Sequence, residues 1–280
     1  MLGGRITLPA DILKFTCTTA GNITLNRVGN PVIVSLIYSK DGGTHWQSVL
    51  FGQNIACNDG DELVMRARSI NSSFSNSASS YYQFAISGEF YVSGSIMYLL
   101  SHLGNGTSIP LYSFYNLFKN CAAIKSAPDI PAATVGGNAC YTMFEGCTGL
   151  TTAPNMNATT VGYNCFRGMF YGCTNMATAP NLPATTLDNA CYYDMFHGCA
   201  FSSVKIYGEN VAYNSLAFMF YNCHNLNNIE VHFPAWGSHI NDCEKWVYGV
   251  AANGDFTCPA ALPNTRDVNH IPTNWNRIEF

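Results

Sequence analysis

Apolar residues recur along this chain with two different rhythms. Up to about residue 100 they alternate in short runs rich in Val, Ile, Phe, Tyr and Thr. That rhythm predicts β-strands at 12–17, 22–27, 32–39, 45–51, 62–68, 81–86 and 90–97. Turn sequences such as Ala20-Gly21-Asn22, Asp41-Gly42-Gly43 and Asn58-Asp59-Gly60 separate them. Several short antiparallel strands with frequent turns predict a small sandwich. The stretch 71–80 (NSSFSNSASS) has no period and reads as a mobile loop.

Beyond residue 110 the rhythm lengthens. Met-Phe, or once Leu-Phe, is followed three residues later by Cys, five times over. The phenylalanines are Phe118, Phe144, Phe170, Phe196 and Phe220, and the cysteines Cys121, Cys147, Cys173, Cys199 and Cys223, spaced 26, 26, 26 and 24 residues apart. A period of this size predicts a solenoid, whose coils each leave an apolar face for the next to cover. Within one coil Met143, Phe144, Cys147 and Leu150 fall at i, i+1, i+4 and i+7, the pattern of a short helical turn. Thr-Thr-Ala153-Pro154 then reads as extended, and Met156 and Val161 complete the inward set. The fourth coil loses its Ala-Pro pair; its Val204-Lys-Ile206 matches Ile229-Glu-Val231 of the fifth.

The predicted layout is therefore mainly β in three parts. Residues 1–100 form a sandwich-like domain. Residues 101–233 form the repeats, 101–110 being a hinge or first cap. Residues 234–280 form a C-terminal cap carrying Trp236, Trp246 and Trp275, with a short helix at 241–250, a strand at 256–259 and a tail at 275–280.

Composition narrows the function. Charged residues make up 11% of 280 and the net charge is −4, against roughly 25% charged in an ordinary globular protein. No basic stripe is present, so nucleic acid is not an expected partner. No run reaches the roughly 18 apolar residues of a membrane span, so no membrane insertion is expected. The opening MLGGRITLPADILKF has no secretory pattern, which leaves three expectations: a chain trimmed to this start, one made and kept in the cytoplasm, or one assembled there into a particle released by lysis. Eight of the twelve cysteines fall in two columns of the repeat. They are read as ladders of buried thiols, with some disulfides as the alternative; the C-x2-C spacing of zinc sites is absent. No metal or cofactor is expected.

Enzyme motifs are missing. The seven histidines form neither H-x3-H nor H-E-x2-H, and no phosphate loop or G-x-S-x-G occurs. Ser39, Asp41, Gly43 and Trp46 match the Asp-box pattern Ser-x-Asp-x-Gly-x-Thr-Trp, with His45 in place of Thr. A single copy reads as a structural turn.

The residue after each repeat Phe varies freely: Lys119, Glu145, Tyr171, His197 and Tyr221. A column that tolerates such changes is expected to face solvent as a stripe about 20 Å long at strand spacing. It is the candidate ligand-binding surface; an ordinary solvated face is the plainer reading.

Blocks such as MFEGCTGLTTAP (143–154) and MFYGCTNMATAPNLPATTLDNACYYDMFHGC (169–199) resemble the cysteine-containing BspA-like leucine-rich repeats of gut Bacteroidales and the phages that infect them. The ending, VAANGDFTCPAALPNT with HIPTNWNRIEF, is similar to the cap that often follows those repeats. The resemblance covers about 111–280 and implies binding without catalysis. It implies a virion structural or attachment protein of a gut phage (fibre, tail or capsid decoration) that contacts other virion proteins through its N-terminal domain and a host glycan or protein through its repeats. A bacterial surface adhesin is the alternative. A homo-oligomer is expected by analogy with phage attachment proteins.

Overall fold

In the computed structural model, which describes residues 8–280, the protein is almost entirely β; the helical residues among those described are one 3-10 turn, Ile96–Leu99. The N-terminal strands are β1 (Lys14–Val28), β2 (Leu36–Ser39), β3 (Gln47–Ser48), β4 (Asn54–Cys57), β5 (Glu62–Ala67) and β6 (Tyr81–Ser93). Hydrogen bonding joins them into one open sheet in the order β3-β2-β5-β1-β6, with β4 also on β1. The sandwich expectation is thus met in its antiparallel β character, while two separate sheets are not formed.

Two predicted turns are absent. The strands expected at 12–17 and 22–27 fuse into β1, and those at 81–86 and 90–97 fuse into β6, the end of the latter curling into the 3-10 turn. Glycine is the reason. A Cβ on Gly21 would stand 1.8 Å from the Ser87 carbonyl oxygen, and Gly88 opposite has φ +88°. The two backbones approach closely and bulge, with register shifts between Cys17 and Asn22, so the long pair bends instead of ending. The 71–80 segment is a loop, but a pinned one. Phe74 is fully buried, 5.1 Å from the Tyr82 ring and 5.9 Å from Phe114.

The Asp-box residues make a tight turn. Asp41 Oδ1 accepts from the His45 N–H (2.9 Å) and the Ser39 hydroxyl (2.7 Å), while Ser39 Oγ accepts from the Gly43 N–H (2.9 Å). Trp46 lies under Arg66, with the guanidinium carbon 4.5 Å from the ring centroid. The His45 N–H, then the Ser39 hydroxyl and the His45 side chain, hold the Asp41 carboxyl well below the usual carboxylate range. A lowered folded-state pKa contributes stability above the unfolded value of about 3.9, lost only as pH falls through the folded value. An NMR carboxyl titration is expected to find Asp41 still ionised at pH 3; a midpoint near the unfolded value would contradict this turn.

The repeats follow without a change of packing at residue 100. β6 pairs antiparallel with β1 on one side and parallel with β8 (Ile124–Ser126), from the first repeat, on the other. The Phe84 N–H donates to the Leu117 carbonyl (2.7 Å), and Phe84 stacks on Phe118 at 4.9 Å. The expected hinge at 101–110 contains β7 (Ser108–Ile109), which pairs in parallel with β9 (Thr134–Val135); β9 in turn pairs with β10 (Thr160–Val161). Residues 84–109 therefore serve as the rung beneath the first repeat.

Each repeat places its residues directly over those of the last. The Phe rings stack from Phe118 to Phe220 at centroid distances of 5.3, 5.6, 5.7 and 5.9 Å, with planes within 11° of parallel. Ile124, Leu150 and Met176 are fully buried in a second column. All twelve cysteines are free and buried. The thiols of Cys121, Cys147, Cys173, Cys199 and Cys223 donate to the carbonyls of Phe84, Phe118, Phe144, Phe170 and Phe196, at 2.9–3.2 Å.

The Met-Phe segment is not a helical turn. From Asn164 to Cys173, alternate N–H groups donate to the carbonyl three residues back and to the next repeat. Met169 bonds Phe166, Phe170 bonds Met195, Tyr171 bonds Gly168 and Gly172 bonds His197. Every fourth residue is left-handed, with φ +51° at Asn164, +60° at Gly168 and +72° at Gly172. A helix would point every N–H four residues back along its own axis. Here half of them point sideways and hold neighbouring repeats together.

Stacking also continues past residue 233. β11 (Ser203–Ile206), β12 (Asn228–Val231), β13 (Asp255–Cys258) and β14 (Asn276–Glu279) form one parallel sheet, in the Val204–Ile229 and Ile206–Val231 register that the sequence matched. Trp246-Val247-Tyr248-Gly249 occupies the Met-Phe-x-Gly place. The Phe220 N–H donates to the Trp246 carbonyl (2.9 Å), and the expected helix at 241–250 is another run of turns, with Lys245 left-handed. The tail expected at 275–280 is mostly β14. Trp246 and Trp275 are buried, and their indole N–H groups donate to the His270 and Ala251 carbonyls. Among the described residues no helix is long and apolar enough to cross a membrane.

Candidate functional site

The turn ladder decides which side chains reach the surface. Phe170 points inward, so the next residue, Tyr171, points outward, and the register repeats this in each coil. The five predicted stripe residues are thereby brought into one column. Lys119 Nζ lies 2.8 Å from Glu145 Oε2. The Tyr171 and His197 rings are 4.3 Å apart, and those of His197 and Tyr221 4.7 Å. Tyr171 is the most exposed of the five. The column extends one residue further than the repeated motif implied, to Tyr248, stacked on Tyr221 at 4.8 Å. The Trp-Val-Tyr-Gly match to Met-Phe-Tyr-Gly was the available clue.

A second column, two residues before each Met, runs beside it and escaped the sequence reading. Tyr81 meets Tyr115 at 5.5 Å, and Tyr115 stacks on Tyr141 at 4.8 Å. The Arg167 guanidinium then lies 5.9 Å from the Tyr141 centroid and 3.9 Å from that of Tyr193. Burial, then neighbouring phenols, raise the Tyr115 pKa; burial, then Asp194, raise that of Tyr193. Both phenols are half-buried and neutral at physiological pH.

Between the columns runs the left-handed position of the ladder, occupied in turn by Asn116, Thr142, Gly168, Asp194 and Phe218. Asn116 and Thr142 hydrogen-bond to each other, and Asp194 Oδ1 lies 3.1 Å from His197 Nδ1. Gly168 is the one member without a side chain, and it opens a depression of about 190 Å³. Tyr141 and Arg167 wall one side, Glu145 and Tyr171 the other, with Thr142 and Asp194 at the ends. A larger depression of about 400 Å³ lies elsewhere, at Ala179–Asn181, Ser203–Lys205, Asn228 and Glu230, and has no aromatic lining.

The site contains stacked rings, hydrogen-bond donors and acceptors, and balanced charge. Among the described residues no group of three or more His, Cys, Asp or Glu side chains is placed to hold a metal ion. The chain was compared with family models, with curated proteins and with solved structures, and nothing matched in any of the three comparisons.

Proposed function

We propose that the stacked repeats are a leucine-rich-repeat solenoid of the BspA-like kind, and that the protein is a non-enzymatic virion structural or attachment protein of a gut bacteriophage. It serves in a fibre, tail or capsid-decoration position and presents the two-column face to a glycan or protein of the host surface. The observation that carries this reading is the pair of adjacent outward columns, Lys119 to Tyr248 and Tyr81 to Tyr193. Aromatic rings held in register over several coils offer a long rigid contact surface at little entropic cost, which suits recognition of a repetitive partner. The low charge of the chain and the repeated Met-Phe-x-x-Cys phrase support the same reading.

In this proposal the N-terminal sheet is the anchor to other virion proteins. Ile33 (89% exposed) and Ile70 (71%) flank the β2–β5 pair at the same end, and Leu50 follows Val49, which bonds Leu36. Exposed apolar side chains gathered at one sheet end favour contact with another protein. Assembly as a homo-oligomer on the particle belongs to the same proposal.

The test is peptide mass spectrometry on phage particles banded in a density gradient from the source culture. Peptides of this chain are expected to band with the capsid proteins at fixed stoichiometry, and the copy number separates a decoration protein from a tail tip. Absence from particles together with presence on cell surfaces would replace the virion reading with that of a bacterial adhesin.

A further inference from the structure

The depression at Gly168 has a chemistry narrower than the surface around it. Its two carboxylates are each half-engaged. Glu145 uses Oε2 on Lys119, and Asp194 uses Oδ1 on His197. The Arg167 guanidinium is held over the Tyr193 face, and among the described residues no carboxylate lies within ion-pair distance of it. The remaining oxygens are acceptors and the guanidinium edge is a set of donors. Acceptor, donor and acceptor thus converge from three sides of one concavity. Beside them is Tyr171, 38% exposed, whose ring meets His197 in the next coil but has no aromatic partner in the Glu145 coil.

We propose that this depression binds a neutral saccharide unit, its ring face on Tyr171 and its hydroxyls shared among Glu145, Arg167 and Asp194. The inference rests on the attachment reading above and names the ligand class of the same surface. Three features select the ligand. Each hydroxyl of a sugar both donates and accepts, which matches a site offering both functions. The formal charges of Arg167 and Lys119 offset those of Glu145 and Asp194. An anionic ligand at Arg167 would bring its charge against both carboxylates, so an acidic sugar is selected against. Finally, the volume holds about six waters at liquid density, the space of about one hexose, and it is concave where a protein contact surface is flat.

Gly168 provides the decisive variant. Its φ of +60° is a conformation that asparagine tolerates, and Asn116 occupies the same column at φ +58°. A Cβ at position 168 would stand 3.0 Å from Thr142 Cγ2, in the floor of the depression. Gly168→Asn therefore fills the site with a residue this column already accepts. The full chain is to be applied to an immobilised panel of neutral oligosaccharides (glucose, galactose, mannose and N-acetylhexosamine units) and of sialylated and uronate oligosaccharides. The strongest sugar is then titrated calorimetrically into the wild type, Gly168→Asn, Tyr171→Ala and, as a control in the larger depression, Lys205→Ala.

The expected result is binding to a neutral sugar at least tenfold tighter than to acidic ones. Gly168→Asn and Tyr171→Ala should each weaken it at least tenfold while both variants still unfold cooperatively from a folded state, and Lys205→Ala should leave it unaltered. The proposal is overturned by a panel with no neutral binder, by preference for an acidic sugar, or by wild-type affinity in folded Gly168→Asn. Host-cell attachment by the variants separates this from the broader reading. Attachment that survives Gly168→Asn keeps the attachment function and removes the saccharide site. Sugar binding by a chain found on neither particles nor cells does the reverse.

Discussion

Phe170→Ala is expected to lower the free energy of unfolding by about 3–5 kcal/mol, the range of a fully buried phenylalanine truncated in a packed core. The ring is fully buried, 5.6 Å from Phe144 below and 5.7 Å from Phe196 above, in near-parallel planes. The backbone bonds at this position do not depend on the ring. The Phe170 N–H reaches the Met195 carbonyl and its own carbonyl accepts the Cys199 thiol, so the loss measures packing alone. A stack held by nearest-neighbour contacts is also weakest where one coil is damaged, so the urea transition should broaden or split at the middle repeat. Tyr171→Ala, one residue along on the outward column, is the internal comparison and should cost under about 1 kcal/mol. An effect below 1 kcal/mol for Phe170→Ala would contradict the inward stack.

The second large effect is alkaline unfolding. Burial pushes the thiols of Cys121, Cys173 and Cys223 up to about 12, and those of Cys147 and Cys199 well above the ordinary range. A folded-state pKa above the unfolded value of about 8.5 means that the thiol's contribution is complete below that pH and is withdrawn as pH rises toward the folded value. Each such thiol then removes about 1.4 kcal/mol per pH unit, and the five of this column about 7 kcal/mol per pH unit. Set against a total stability of about 5–15 kcal/mol, this column alone places cooperative unfolding between about pH 9 and pH 10.5. Urea titrations at pH 7, 9 and 10 should show the decline, and Cys173→Ala should flatten it by about a tenth, because burial raises six further thiols as well. Stability that is level from pH 8 to pH 11 would mean that the thiols ionise without leaving the core.

Much of the stack was legible in the chain. A column that repeats Phe every 24–26 residues has to bury it, because no single coil can, and the match of Val204–Ile206 with Ile229–Val231 carried its register. The stripe from Lys119 to Tyr221 followed from variation beside an invariant Phe. The second column did not, because Tyr115, Tyr141, Arg167 and Tyr193 share no repeated phrase. The left-handed positions were hidden for another reason. Asn, Thr, Gly, Asp and Phe alternate there, and only the backbone tells which of them stand at positive φ.

Composition and periodicity alone settled that the protein is β-rich, that its core is a set of columns of Phe, aliphatic residues and Cys, and that charge on its surface is scarce. These depend on local pattern and on the need of apolar faces for cover. The folded chain decided how far the columns run, because Phe84 and Trp246 join them from outside the repeated phrase. It replaced an expected helical turn by a ladder whose N–H groups alternate between the coil and its neighbour. It also placed Gly168 between Glu145, Arg167 and Asp194, residues up to 49 positions apart in the chain. The physical reason is common to all three: register between coils is set by hydrogen bonds and ring contacts across residues distant in sequence, and no local pattern encodes which of them meet.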